Sequence, residues 1–177
     1  MLRLPAVAGR FYPADTRELT HQVQKFTIGI AAEEKIAARG CVVPHAGYMY
    51  SGAVAGAVYG RLRLPRRMIL LGPRHYTQGA ALAILSEGAW QTPLGEAQVD
   101  ESLAREIRES FPALQENAVA HHSEHALEVQ LPFLQLLAGG FRFVPIALGP
   151  VAISTLEGLG RAIANAVQQV GDEVLLV

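Results

Sequence analysis

The residues best equipped for chemistry in this 177-residue chain are its six histidines. His45 and His75 stand in matching contexts, Pro44-His45-Ala46-Gly47 and Gly72-Pro73-Arg74-His75. Each follows a short apolar run, Cys41-Val42-Val43 or Met68-Ile69-Leu70-Leu71, of the kind that forms a buried strand and is stopped by Pro and Gly. Both imidazoles are therefore expected at the carboxyl ends of two strands. Neighbouring strands lie about 5 Å apart, so two such rings can reach one ion, and imidazole suits Zn, Fe and Cu. The alternative for each is a loop histidine satisfied by hydrogen bonds alone.

His121, His122 and His125 lie together in Ala120-His121-His122-Ser123-Glu124-His125-Ala126-Leu127-Glu128. The Ser123-Glu124 step reads as a helix start, which leaves His121 and His122 as solvated loop residues and puts His125 in a first helical turn. A histidine there, aimed at the strand ends, can act as an acid, a base or a support for a metal ligand. Glu124 and Glu128 can orient it, or can be ordinary first-turn acids that favour the helix dipole. The spacing is not the HExxH of zinc proteases. Tyr48, Tyr50 and Tyr76 flank the two strand-end histidines and can wall a pocket or donate to an oxyanion. Cys41, inside a predicted strand, reads as a small apolar residue, neither nucleophile nor ligand. No GxGxxG fingerprint, P-loop or GxSxG elbow occurs.

The elements that must position these groups follow from periodicity and punctuation. Asp15 and Glu18 resemble a capping box ahead of Leu19, Val23 and Phe26 at helical spacing. Ser51 caps a small-residue helix from Gly52 to about Leu62. Ala80 to Leu85 reads as a strand, and Asp100 caps a helix with Leu103, Ile107 and Phe111 on one face. The helix opened at Ser123 or Glu124 carries Leu127, Leu131 and Leu134, with Pro132 kinking or dividing it. Phe143 to Leu148 is a strand, and Leu156, Leu159, Ile163 and Val167 give a helix closed by Gly171. Apolar strands alternating with amphipathic helices indicate an α/β fold, a mostly parallel central sheet flanked by helices.

Composition sets the outer limits. Half of the residues are apolar and 18% are charged, which excludes disordered and collagen-like classes. The formal charge is -1 and the basic residues are scattered, so neither nucleic acid nor a membrane surface is an expected partner. A single cysteine and no signal-peptide pattern fit a cytoplasmic setting. The length suits one domain, 1–177. The run Val174-Leu175-Leu176-Val177 has no turn after it and reads as a strand cut before its loop, so this domain is expected to be truncated at its C-terminal end.

Five segments in order carry a resemblance. Ala8-Gly9-Arg10-Phe11-Tyr12-Pro13, Val43 to Gly52, Ile69 to His75, Thr92-Pro93-Leu94-Gly95 with Val99-Asp100, and Glu124 to Phe133 together resemble the Memo family. That family's fold is similar to the class III extradiol dioxygenases, whose non-haem iron sits among strand-end loops. The resemblance implies that His45 and His75 are two ligands of an Fe or Cu ion, with Zn as a further option, and that His125 is the nearby catalytic proton donor or acceptor. It also implies a redox or oxygenase-like role, and an association of microbial members with a radical SAM protein and an AMMECR-type protein. The family's cysteine ligand lies in a Cys-Gly step and its nearby Asp and His in a Ser-Asp-x-x-His-type loop; neither motif occurs here. Two other readings stand beside this one. One is a non-catalytic module that binds a protein or peptide in the same cleft; the other is a zinc-dependent hydrolase using the same histidines.

Overall fold

The computed structural model describes residues 1–27 and 31–177. Its strands are β1 (Leu2–Arg3), β2 (Arg67–Pro73), β3 (Leu82–Ile84), β4 (Ala89–Thr92), β5 (Gly95–Val99), β6 (Gln115–Glu116), β7 (Arg142–Leu148) and β8 (Val174–Leu176). They form one sheet in the order β1-β4-β5-β7-β2-β8, with β3 on the distal part of β7 and β6 beside β3. The pairings β4·β5 and β3·β7 are antiparallel, and the others are parallel. The helices are α1 (Thr16–Phe26), α2 (Tyr48–Gly60), α3 (Glu101–Ser110), α4 (Ala118–His122), α5 (Leu131–Leu137) and α6 (Ile153–Val170). This is the expected α/β architecture, a mostly parallel sheet flanked by helices.

Sequence punctuation explains many of the element ends. The Asp15 side chain accepts from the amides of Arg17 and Glu18 to start α1, and Asp100 accepts from that of Leu103 to start α3. Asp100 also takes the Arg67 guanidinium on both carboxylate oxygens, tying α3 to the entrance of β2. Gly171 closes α6 at φ 69°, a left-handed position that costs a residue with a Cβ. In the centre β2 is buried at Met68, Ile69 and Leu70, and β7 from Phe143 to Ala147, because helices cover both faces.

Four expectations are corrected. Cys41 to Val43 is not a strand: the chain bridges β8 once, at Gly40, and then leaves the sheet with Val42 93% exposed. An apolar run of three before a proline, with no second strand to pair on its far side, has too few ladder bonds to stay extended in the sheet. Helix α2 begins at Tyr48, one turn before Ser51, with Gly47 at its N-cap; the Ser51 hydroxyl instead donates to the Ala46 carbonyl. No helix opens at Ser123 or Glu124. The chain there is irregular, passes through a tight 3₁₀ turn at Glu128–Gln130, and only then enters α5, where Pro132 sits in the first turn and kinks nothing. Finally, the strand expected over Ala80 to Leu85 shrinks to β3, and the hairpin β4–β5 is added ahead of α3.

Candidate metal centre

Strands β2 and β7 run side by side to a common end, Pro73 opposite Leu148. His75 follows two residues later, as its sequence context predicts. His45 arrives by a different route, on the loop between the Gly40 bridge and α2. His125 comes from the irregular turn after α4. The three rings converge: centroids lie 5.2 Å apart for His45 and His75, 4.4 Å for His75 and His125, and 6.1 Å for His45 and His125. His75 and His125 are stacked, with planes 20° apart.

Glu124 organises two of them. One carboxylate oxygen accepts from His75 Nδ1 at 2.9 Å and from the amides of His125 and Ala126; the other accepts from the His75 amide. These amide bonds draw His125 and Ala126 around the carboxylate, which is the local reason that no helix starts at Glu124. Burial opposes charge on Glu124, but the donors from His75 and Ala126 outweigh it and hold the carboxyl below its ordinary range. An ionised carboxylate only accepts, so in neutral His75 the proton sits on Nδ1 and Nε2 carries the free lone pair. That is the carboxylate–histidine arrangement which orients a metal ligand.

His75, Glu124 and His125 also place donor atoms within 4.8 Å of one another. Both Glu124 oxygens are already engaged, so the carboxylate is better placed to orient His75 than to coordinate. The imidazoles are the free donors. Burial, and then the charge that His75 would carry, lower the pKa of His45 against the pull of Glu124. Burial likewise lowers that of His125, with Glu124 opposing and His75 and His45 adding to it. Both rings therefore favour the neutral form that binds metals. The spacing fits as well: with metal–nitrogen bonds of about 2 Å, two imidazoles on one tetrahedral ion have centroids about 5 Å apart.

The remaining candidates divide. Glu128 is buried but belongs to another network. It pairs with Arg3 at 2.8 Å and accepts from the amides of Ala6 and Val7 and from the Tyr12 hydroxyl. Arg3 donates onward to the carbonyls of His121 and Glu124, so the N-terminal segment is strapped to the turn that bears His125. Tyr48 is buried among Tyr12, Phe26 and Phe133 and donates to the Val129 carbonyl, and it is not in the lining of either cavity beside the histidines. Tyr76 is half-exposed beside His125, on a cavity that both line, whereas Tyr50 is 81% exposed and lines no cavity beside the histidines. Cys41 is protonated, its thiol pushed up to about 11 by burial. His121 corrects the sequence reading: it lies inside α4 and is fully buried edge-on to Trp90, with neither ring nitrogen reaching a hydrogen-bond partner. Burial and the adjacent Arg3 push its pKa down to about 4.

Sequence reasoning missed two contributors. Arg3 and Phe11 lie more than a hundred residues from His125, yet Arg3 holds its turn and the Phe11 ring packs 4.7 Å from its imidazole. The Ala8-Gly9-Arg10-Phe11-Tyr12-Pro13 motif was the available signal for Phe11.

Among the described residues, no helix is long and apolar enough to cross a membrane. Comparison with known proteins agrees with the site's motifs. A family model described as Memo-like protein matches residues 3–177. A MEMO1 family protein of Pyrobaculum arsenaticum is 40% identical over 99% of this chain and 66% of its own length. One of Aquifex aeolicus is 38% identical, over 99% of this chain and 65% of that protein. One of Methanopyrus kandleri is 35% identical over the whole chain and 67% of that protein. The chain thus spans about two thirds of the length of the curated relatives it matches. The observed sheet and its helices agree with the dioxygenase-like fold that the resemblance implied. A match running from β1 to β8, through both histidine loops and the Glu124 turn, makes this chain a member of the Memo family.

Proposed function

We propose that this protein is a metal-dependent, dioxygenase-like Memo domain in which His45 and His75 hold an iron or copper ion and His125 moves a proton beside it. The observation that carries the reading is the His45–His75 separation of 5.2 Å, with His75 Nδ1 committed to Glu124. When bound, such an ion supplies Lewis acidity and redox chemistry. The chain's own residues do the rest: Glu124 orients His75, and His75 stacks on the His125 ring with Phe11 packed beside it at a tilt, while the neutral form of His125 accepts a proton. Metal centres ordinarily have three or more protein donors, and His125 is the next imidazole within reach.

Metal content after dialysis, measured for wild type and for the His45→Ala and His75→Ala variants, tests the proposal. Loss of stoichiometric iron or copper in both variants is expected, and equal binding in all three proteins overturns it. Retained metal in His125→Ala marks that ring as the proton carrier; lost metal marks it as a third donor. A zinc hydrolase would instead show ester turnover that is abolished by chelation and restored by Zn in preference to Fe.

A second reading, a module that binds a protein or peptide, draws on a hollow of about 440 Å³ next to His45, walled by Cys41, Val43, Leu70, Leu71 and Leu127. Co-purification that depends on this hollow and ignores metal would favour it. The family resemblance adds a radical SAM protein and an AMMECR-type protein as proposed partners, with a cytoplasmic setting and no nucleic-acid or membrane partner.

A further inference from the structure

The opposite side of the histidine trio is built differently from the hollow by His45. A cavity of about 700 Å³ reaches His125 from beneath the N-terminal segment, within the size range of small-molecule sites. Apolar and aromatic side chains form much of its wall, among them Leu2, Leu4, Phe11 and Tyr76, and no Asp or Glu lines it.

Two cationic side chains border the cavity, and they differ. Arg3 is buried and spent on Glu128 and two carbonyls. Arg10 is exposed, and its guanidinium has no hydrogen-bond or ion-pair partner among the described residues. Its backbone, in contrast, is tightly held. Gly9 takes φ 77°, open to a residue without a Cβ, and the amides of Arg10 and Phe11 both donate to the Val7 carbonyl. The ends of the turn are pinned by Glu128, through the Val7 amide and the Tyr12 hydroxyl, and its Phe11 carbonyl accepts from the Tyr48 amide at 2.7 Å. A rigid turn thus presents one unused guanidinium and one aromatic face to the same space, with His125 in its lining.

We infer that this cavity binds a small, planar organic monocarboxylate, with Arg10 taking the carboxylate and Phe11 and Tyr76 enclosing the apolar body against His125. Guanidinium matches carboxylate geometry with two parallel donors, and an unpaired guanidinium in a lining that holds no acid favours an anionic group there. That such a ligand is the substrate rests on the proposed metal centre; its binding does not.

The test therefore uses the full chain stripped of metal by chelation, so that failure of the metal reading, judged by metal content in the histidine variants, remains a separate result. Benzoate, benzamide and phenyl phosphate are titrated by calorimetry, with amide resonances followed by NMR. Benzoate is expected to bind about tenfold more tightly than benzamide, the worth of one charge-assisted contact, and to shift the Phe11 and His125 amides. Arg10→Met should bring the two ligands within about threefold of each other, and Arg10→Lys should restore part of the preference. The inference is overturned by no benzoate binding, by shifts confined to other regions, by an unchanged preference in Arg10→Met, or by phenyl phosphate binding more tightly than benzoate.

Discussion

His45 and His75 face each other at the same end of the sheet, yet they are held in opposite ways. His75 follows a central strand directly, and its ring, its backbone and the neighbouring His125 turn all converge on one buried carboxylate. His45 stands on a loop that has left the sheet, and its ring has no hydrogen-bond partner among the described residues. Beside it the Pro44 carbonyl accepts from Gln130 and the Ala46 carbonyl from Ser51, while Val43 packs against the core. The difference separates two kinds of contribution. The His75 side is preorganised and part of the folding core; the His45 side can turn its ring to meet a ligand at little structural cost.

Breaking the strap behind the preorganised side should cost most. Glu128→Ala leaves Arg3 buried without its partner, together with the Ala6 and Val7 amides, and is expected to lower stability by about 3–5 kcal/mol in urea unfolding. A loss below about 1 kcal/mol would show that the strap is not integral to the fold.

Acid should attack the same side. His121 titrates at about 4 in the folded protein against an ordinary 6.5, so the unfolded chain takes up the proton first and stability falls as the pH drops through that window. The contribution is present above about pH 6.5 and amounts to about 3 kcal/mol lost by pH 4. His121→Phe should flatten this part of the stability–pH curve, and an unchanged slope would place the acid sensitivity elsewhere.

The next effect sharpens the contrast at the proposed ligands themselves. Glu124→Gln removes the charge that fixes the His75 tautomer and should weaken metal affinity about 10–100-fold, measured by competition with a chromophoric chelator. If His75 were held by packing alone, affinity would not move.

The smallest structural effect belongs to the other side. His45→Ala should leave stability within about 0.5 kcal/mol of wild type, while the proposed metal binding is expected to be lost. A larger loss of melting temperature in the metal-free protein would mean that the His45 ring is part of the folding core after all.

Much of this arrangement is legible along the chain. Periodicity, caps and apolar runs located α1, α3, α6, β2 and β7 because apolar spacing and Asp, Pro and Gly punctuation are local features of the chain. The motif at Gly72 to His75 located a strand-end histidine for the same reason. The Ser123-Glu124 step misled, since an acid before an apolar run is also what a helix start looks like. In the fold the carboxylate is taken both by the His125 and Ala126 amides and by the distant His75 amide and ring, and the segment is a turn. His121 misled likewise: in sequence it is one of a polar cluster, and its burial depends on Trp90 and Arg3, which reach it from β4 and β1.

Residue order by itself determined the α/β class, the family, and the strand-end position of His75, because these rest on local pattern and on motifs in sequence order. Tertiary structure alone decided that the rings of His45, His75 and His125 converge. Glu124 became the common acceptor for two loops, Glu128 became the anchor of the N-terminal strap, and Arg10 was left unpaired above a cavity beside His125. The physical reason is the same in each case. A carboxylate or guanidinium takes its role from the donors and acceptors that the fold brings within hydrogen-bonding distance, and those lie tens of residues away in sequence.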